Sequence, residues 1–169
     1  MGVLWEFDKT YFEFEAVIMI YIGSDHRGYN LKDYLKGYLA HAKVPFKDLG
    51  NHKFDPEDDY PDFAFNVAAK VSENPIENLG VMICGSGLGM VVVANKFKGV
   101  RAGLAVNEWF AKHGRENDDL NILVLSADET DFSLAERILK AFLVTRFINE
   151  EKYIRRIDKI EKKEEENFK

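Results

Sequence analysis

The sequence contains a single cysteine, Cys84, and four prolines in 169 residues. One thiol forms no internal disulfide, and no Cys-x-x-Cys pair is present to hold zinc. So few prolines leave no Pro-rich linker, and no Ser-rich stretch or internal repeat marks a second domain. No run reaches the ~18 consecutive apolar residues that a membrane-spanning helix needs. Basic charge is not in excess: 23 Lys and Arg face 29 Asp and Glu, for a net charge of −6. That balance argues against a nucleic-acid surface covering the domain, while leaving room for a local basic pocket. The first 15 residues are aromatic and acidic, with Lys9 as their basic side chain. A secretory signal needs a basic start, an apolar run and a small-residue cleavage site, so the expected location is cytoplasmic and the thiol is expected to stay reduced. With 46% hydrophobic and 31% charged residues, the chain has what one domain needs to bury a core without staples.

Apolar strand-like runs alternate with segments of helical length. The runs at 19–23, 44–49, 80–84, 100–106 and 121–126 read as strands. Residues 31–42 read as a helix with Leu31, Tyr34, Leu35, Tyr38 and Leu39 on one face. Pro61 opens a second helix, which Asn74–Pro75 breaks. Further helices are expected from the glycine-rich turn to about Phe97, over 108–115, over 130–148 with Asp131 or Ser133 as its cap, and over 150–169, a charged segment of the same domain. This alternation predicts an α/β fold: a Rossmann-like three-layer sandwich, a five-stranded parallel sheet with helices on both faces. In such sheets ligands bind outside the C-terminal strand ends where strand order reverses, between the first and third strands in the common order. The loops that follow those strands, SDHRGY and CGSGLGM, are therefore expected to meet.

Gly85, Gly87 and Gly89 form a Gly-x-Gly-x-Gly turn between strand and helix, able to aim backbone N–H groups at an anion or merely to turn tightly. It does not match the dinucleotide fingerprint Gly-x-Gly-x-x-Gly, so no NAD site is expected. Cys84 ends the third strand just before that turn. A thiol there can have a lowered pKa and serve as base or nucleophile, or be a small buried hydrophobe. Asp25 and His26 follow the first strand: either a pair for phosphate binding and proton transfer, or a capping Asp beside an exposed His. Lys152 and Arg156, at i and i+4, share a helix face that clamps a phosphate or simply faces water. His41, His52 and His113 read as surface residues, and no metal-ligand set emerges.

Taken together, SDHRGYNLK, DYPDFA, ICGSGLGM, ANKFKGVRA and the late basic helix resemble the sugar-phosphate isomerases of the ribose-5-phosphate isomerase B and galactose-6-phosphate isomerase type. The match runs from about Met19 to Lys159, and no single motif in it is specific alone. The resemblance implies an aldose–ketose isomerase working through an enediolate without metal or organic cofactor. Ribose 5-phosphate is the leading substrate, and a tetrose or hexose phosphate the alternative. It implies Cys84 as the base that moves the proton, Ser86 as the hydroxyl handling substrate oxygens, and backbone N–H groups of residues 85–89 as the enediolate's partners. One branch of the family has a Glu where this chain has Met90, which cannot be a base. Asp25, His26, Tyr60 and Asp118 would line the substrate, and Lys152 and Arg156 would hold the phosphate, Lys152 replacing the usual Arg. The family builds its site at a subunit interface, so a homodimer or tetramer is implied, with no nucleic-acid or membrane partner.

The chain departs from the family at Arg115-Glu116-Asn117-Asp118-Asp119, where Asn117 occupies the position of the family's ring-opening His. Asn exchanges no protons at neutral pH. His113, one turn earlier, offers a substitute. Alternatively, the substrate needs no ring opening, as for a tetrose phosphorylated at its end, or the chain is a non-catalytic sugar-phosphate-binding subunit. Residues 1–18 precede the family's usual start and read as an N-terminal extension or a wrongly assigned start. The alternation Phe12/Phe14/Ala16 would suit an edge strand.

Overall fold

The computed structural model describes residues 19–168, so the Phe12/Phe14/Ala16 expectation and the rest of the extension lie outside the described residues. Within them are five strands, β1 (Met19–Ser24), β2 (Phe46–Asp48), β3 (Asn78–Cys84), β4 (Ala102–Leu104) and β5 (Ile122–Ser126). Six helices accompany them: α1 (Tyr29–His41), α2 (Tyr60–Glu73), α3 (Leu88–Ala94), α4 (Glu108–Asp118), α5 (Phe132–Val144) and α6 (Glu151–Asn167). The strands form one parallel sheet in the order β2-β1-β3-β5-β4.

Period-two alternation sorts the sheet's side chains into two cores. Ile20, Ile22, Val81, Ile83, Leu123 and Leu125 pack with α1, α4 and α5. Met82, Cys84, Ile122 and Val124 pack with α2 and α3 on the other face. Each of the larger apolar side chains contributes about 1.5–3 kcal/mol by leaving water. β5 is buried along its whole length, as a central strand must be, whereas the three-residue β4 takes the edge.

The sequence reading places all five strands but overextends the weak ones: 44–49 shrinks to β2 and 100–106 to β4. The helix predicted over 130–148 starts at Asp131, whose Oδ1 accepts the Leu134 N–H at 2.7 Å, and ends at Thr145 in extended backbone. The 108–115 helix runs on to Asp118, and the helix predicted to Phe97 stops at Ala94. α6 leaves this body near the edge strand and touches it at the sheet's N-terminal end. The Gly99 N–H donates to Glu164 at 2.8 Å, Arg101 faces Glu161 at 3.9 Å, and Ile157 is its buried residue. No helix among the described residues is long and apolar enough to cross a membrane.

Candidate active site

Strand order reverses between β1 and β3, and the loops that follow them do meet. The Asp25 N–H donates to the Ile83 carbonyl at 3.3 Å, and Asp25 Oδ1 accepts the Gly28 N–H at 3.0 Å. The loop after β5 joins them. The Ala127 N–H donates to the Cys84 carbonyl at 2.9 Å, and the Ser126 hydroxyl to the Gly85 carbonyl at 2.7 Å. A pocket of about 290 Å³ opens there, lined by Asp25, Tyr60, Cys84, Gly85, Ser86 and Gly89 from the expected set. Tyr60, the first residue of α2, lays its ring so close to Gly89 that a Cβ there would meet it at 2.6 Å. Gly87 stands behind the pocket as the cap of α3, with φ +79°, a conformation costly for any other residue.

Cys84 is 5% exposed, and its sulfur accepts the Gly87 N–H at 3.2 Å. A lowered thiol pKa is one expectation for this position, and the structure corrects it. Burial pushes the thiol up. The Gly87, Met90 and Ser86 N–H groups pull it down, and Asp25 adds a further push upward. Asp25 itself is held above its ordinary value, chiefly by burial. Met90 is fully buried in the α3 core, so no base stands at that position. The Ser86 hydroxyl is exposed and accepts the Leu88 N–H at 3.3 Å.

His26 stands beside Asp25 but is turned to a partner that the sequence reading missed. Asp58 Oδ1 lies 2.7 Å from His26 Nδ1 and accepts the His26 backbone N–H at 2.9 Å. The Asp58 hydrogen bond holds the imidazole above its ordinary pKa. Two more residues were missed. Arg27 and Asp128 line the pocket, with Arg27 Nη2 donating to both Asp128 oxygens at 2.7 Å. The signal for Arg27 lay in the SDHRGY loop itself. Asp58 and Asp128 sit in acidic loops whose pairing only the fold decides.

The remaining candidates are elsewhere. Helices run back against a parallel sheet, so α4 starts beyond the C-terminal end of β4 and finishes ahead of β5. Its last turn, with Asn117 and Asp118, therefore lies at the end of the sheet opposite Cys84. Asn117 Nδ2 lies 2.8 Å from His113 Nδ1, and His113 stacks on Trp109 at 4.5 Å. Lys152 and Arg156 are exposed on α6 and flank the Tyr153 ring at 4.5 and 5.8 Å, with Lys152 paired to Glu150 at 2.9 Å. One chain thus gathers Asp25, Tyr60, Cys84, Ser86 and the glycine turn, and leaves Asn117, Asp118, Lys152 and Arg156 away from them. Among the described residues, no group of three or more His, Cys, Asp or Glu side chains is arranged to hold a metal ion.

The chain resembles known proteins in sequence and in fold. The family model described as Ribose/Galactose Isomerase matches residues 20–160. A "Probable ribose-5-phosphate isomerase B" of Mycoplasma genitalium is 44% identical over 147 residues, covering 87% of this chain and 96% of that protein. The crystal structure of ribose-5-phosphate isomerase B from Mycoplasma genitalium, with bound ribulose-5-phosphate, superimposes with a TM-score of 0.85 at 43% identity, over 88% of this chain and 97% of that one. That of Clostridium thermocellum ribose-5-phosphate isomerase B gives 0.83 at 36% identity, over 88% and 99%.

Proposed function

The chain belongs to the ribose/galactose isomerase family, and from that premise we propose that it interconverts ribose 5-phosphate and ribulose 5-phosphate. The broader class, aldose–ketose isomerisation of a phosphorylated sugar, is the activity named for its relatives. The observation that carries the reading is the meeting of Cys84, Asp25, Ser86 and Tyr60 in one pocket at the reversal between β1 and β3.

In this reading the Cys84 thiolate takes the proton from C2 of the open-chain aldose. The C1 carbonyl becomes an enediolate oxygen, which N–H groups of residues 85–89 and the Ser86 hydroxyl stabilise. Return of the proton to C1, and transfer of the hydroxyl proton from O2 to O1, gives the ketose. Nothing is oxidised by an outside agent. Burial favours the thiol over the thiolate, so the thiol must first give up its proton. Asp25, beside it and itself held upward by burial, is suited to receive it.

The pocket of one chain offers Arg27 as its cation, already paired with Asp128. Lys152 and Arg156 would reach the phosphate from a second copy, which would also bring Asn117 and Asp118 to the sugar. Exposed apolar side chains flank the edge strand and support such an interface: Leu88 and Val92 on α3, and Trp109 and Phe110 on α4. A second reading, a tetrose phosphate as substrate, is favoured by Asn117, because a four-carbon sugar phosphorylated at its end has no hydroxyl free to close a furanose.

The test is isomerisation of ribose 5-phosphate beside erythrose 4-phosphate, with Cys84→Ala as the control. Turnover of ribose 5-phosphate that vanishes in Cys84→Ala, with binding retained, is expected. Turnover of the tetrose alone would move the substrate to the second reading. Activity that survives Cys84→Ala would remove the thiol from the mechanism.

A further inference from the structure

Lys32 sits on the apolar face of α1 with Leu31, Leu35 and Leu39, and is only 1% exposed. Lysine is almost never buried so completely unless it is paired, and an apolar side chain of similar volume there is often neutral or stabilising. Its ammonium meets two oxygens: Asp48 Oδ1 at 2.9 Å and the Asn51 backbone carbonyl at 2.5 Å. Asp48 does not depend on it, because Lys36 Nζ lies 2.8 Å from Oδ2 and the Gly50 N–H donates to Oδ1 at 3.0 Å. The group that Lys32 alone satisfies by side chain is the Asn51 carbonyl.

Asn51 passes this anchoring on. Its Nδ2 donates to Asp58 Oδ2 at 2.6 Å, and Asp58 Oδ1 holds both the backbone N–H and the Nδ1 of His26. Between Asn51 and Asp58 the chain is exposed throughout, from His52 to Glu57. The loop is therefore fixed at its two ends, and the buried ammonium secures one of them. A carboxylate accepts and does not donate, so the imidazole gives Nδ1–H to Asp58 and leaves Nε2 outside that bond.

We propose that Lys32 is a positioning residue for the isomerisation: through Asn51 and Asp58 it sets the orientation of the His26 ring, which the chain holds between Asp25 and Arg27, two residues that line the Cys84 pocket. This rests on the isomerase reading for its consequence, but not for its geometry. Lys32 touches no substrate and acts through three other groups, each within hydrogen-bond distance of the next.

The test is Lys32→Met, which keeps the volume and leaves Asp48 with Lys36. Two quantities are measured on the full chain: kcat/KM for ribose 5-phosphate, and the titration of His26 by NMR, with Asp25 and Asp58 as the charges that face it. The expected result is a folded protein whose kcat/KM falls about tenfold, below the roughly hundredfold that a misplacement of about 1 Å can cost. In the same protein the His26 midpoint drops toward that of an ordinary imidazole. A folded variant whose His26 titrates like wild type overturns the proposal, whether or not turnover changes. A shifted His26 with unchanged turnover overturns it too. If wild type isomerises no sugar phosphate, the isomerase reading fails separately, and the His26 titration still decides whether the relay exists. If Lys32→Met does not fold, Asn51→Ala, which removes the amide and leaves Lys32 in place, must shift His26 in the same direction. An unmoved His26 there also refutes the relay.

Discussion

Gly28 and Gly37 both belong to the first helical region, and the same change to alanine should act on them with opposite sign. At Gly28 the backbone is unremarkable, with φ −86° and ψ −4°, values open to any residue. The obstacle is the neighbour. A Cβ would stand 2.6 Å from the Ile83 carbonyl oxygen and 2.8 Å from its carbon, where ordinary contact begins at 3.4 Å. Those atoms belong to β3, which is paired on both sides by β1 and β5 and cannot withdraw. The turn after β1 must therefore lift by close to an ångström, which breaks the Asp25 N–H to Ile83 carbonyl bond, already 3.3 Å long. Overpacking of this kind costs about 1–3 kcal/mol and the lost hydrogen bond about 1 more. At roughly 2–4 °C per kcal/mol for a chain of this size, Gly28→Ala should melt about 4–16 °C below wild type. Gly37 is exposed in mid-helix, and a Cβ there meets nothing within 4 Å. Gly37→Ala should gain about 0.5–1 kcal/mol by restricting the unfolded chain. Urea titrations of the two variants, with kcat measured in parallel, decide the matter. Gly28→Ala should also lose turnover, because the lift carries Asp25 and His26 away from Cys84. Wild-type stability and turnover in Gly28→Ala would show that the turn is free to shift and that contact with β3 does not place the site.

Alkylation of Cys84 by iodoacetamide should be slow at neutral pH and accelerate with a midpoint above the ordinary thiol value of about 8.5, because burial holds the proton on. A midpoint below that value would mean that the N–H groups of the glycine turn outweigh burial. Lys152→Ala combined with Arg156→Ala should raise KM for the sugar phosphate severalfold while leaving kcat nearly unchanged; an unchanged KM would return α6 to a solvated face.

Much of this was legible in the residues. Five apolar runs gave five strands, and the rule that ligands sit where strand order reverses brought Asp25 and Cys84 together before any motif was considered. What was not legible is pairing between loops. His26 reads as a lone histidine until the fold brings Asp58, 32 residues away, to its ring. Lys32 reads as one more polar residue in a helix, since periodicity marks which face is buried and not whether a cation on it has found a carboxylate. Arg27 stood inside the recognised loop, but its partner Asp128 is 101 residues on. The direction of the thiol's shift is hidden for a related reason: the position beside a helix start is visible in sequence, whereas the depth of burial that opposes it is not. Edge strands were overextended because β4 and β2 carry apolar residues past the point where a neighbour stops pairing with them.

The separation of the candidate residues into two groups has a consequence that a mixing experiment can reach. In a parallel sheet every helix returns to the N-terminal end, so the last turn of α4 cannot approach the Cys84 pocket of its own chain, however its side chains rotate. If Asn117, Asp118, Lys152 and Arg156 act on the substrate, they do so in the pocket of another copy. Cys84→Ala then lacks the base but lends a sound basic helix, and the Lys152→Ala/Arg156→Ala variant lacks the helix charges but keeps the base. Co-expressed as a random mixture, they should form mixed dimers in about half of the assemblies, each with one pocket built wholly from wild-type residues and one doubly defective. At a substrate concentration well below the raised KM, where Cys84→Ala is silent and the Lys152→Ala/Arg156→Ala variant keeps only the fraction set by its raised KM, the mixture should exceed the mean of its parents by reaching about a quarter of wild-type activity per subunit. Pockets completed within one chain would give no more than the mean of the two parents, because no chain in the mixture carries both Cys84 and the basic pair. That outcome would refute the shared site, and with it the placement of the phosphate against α6.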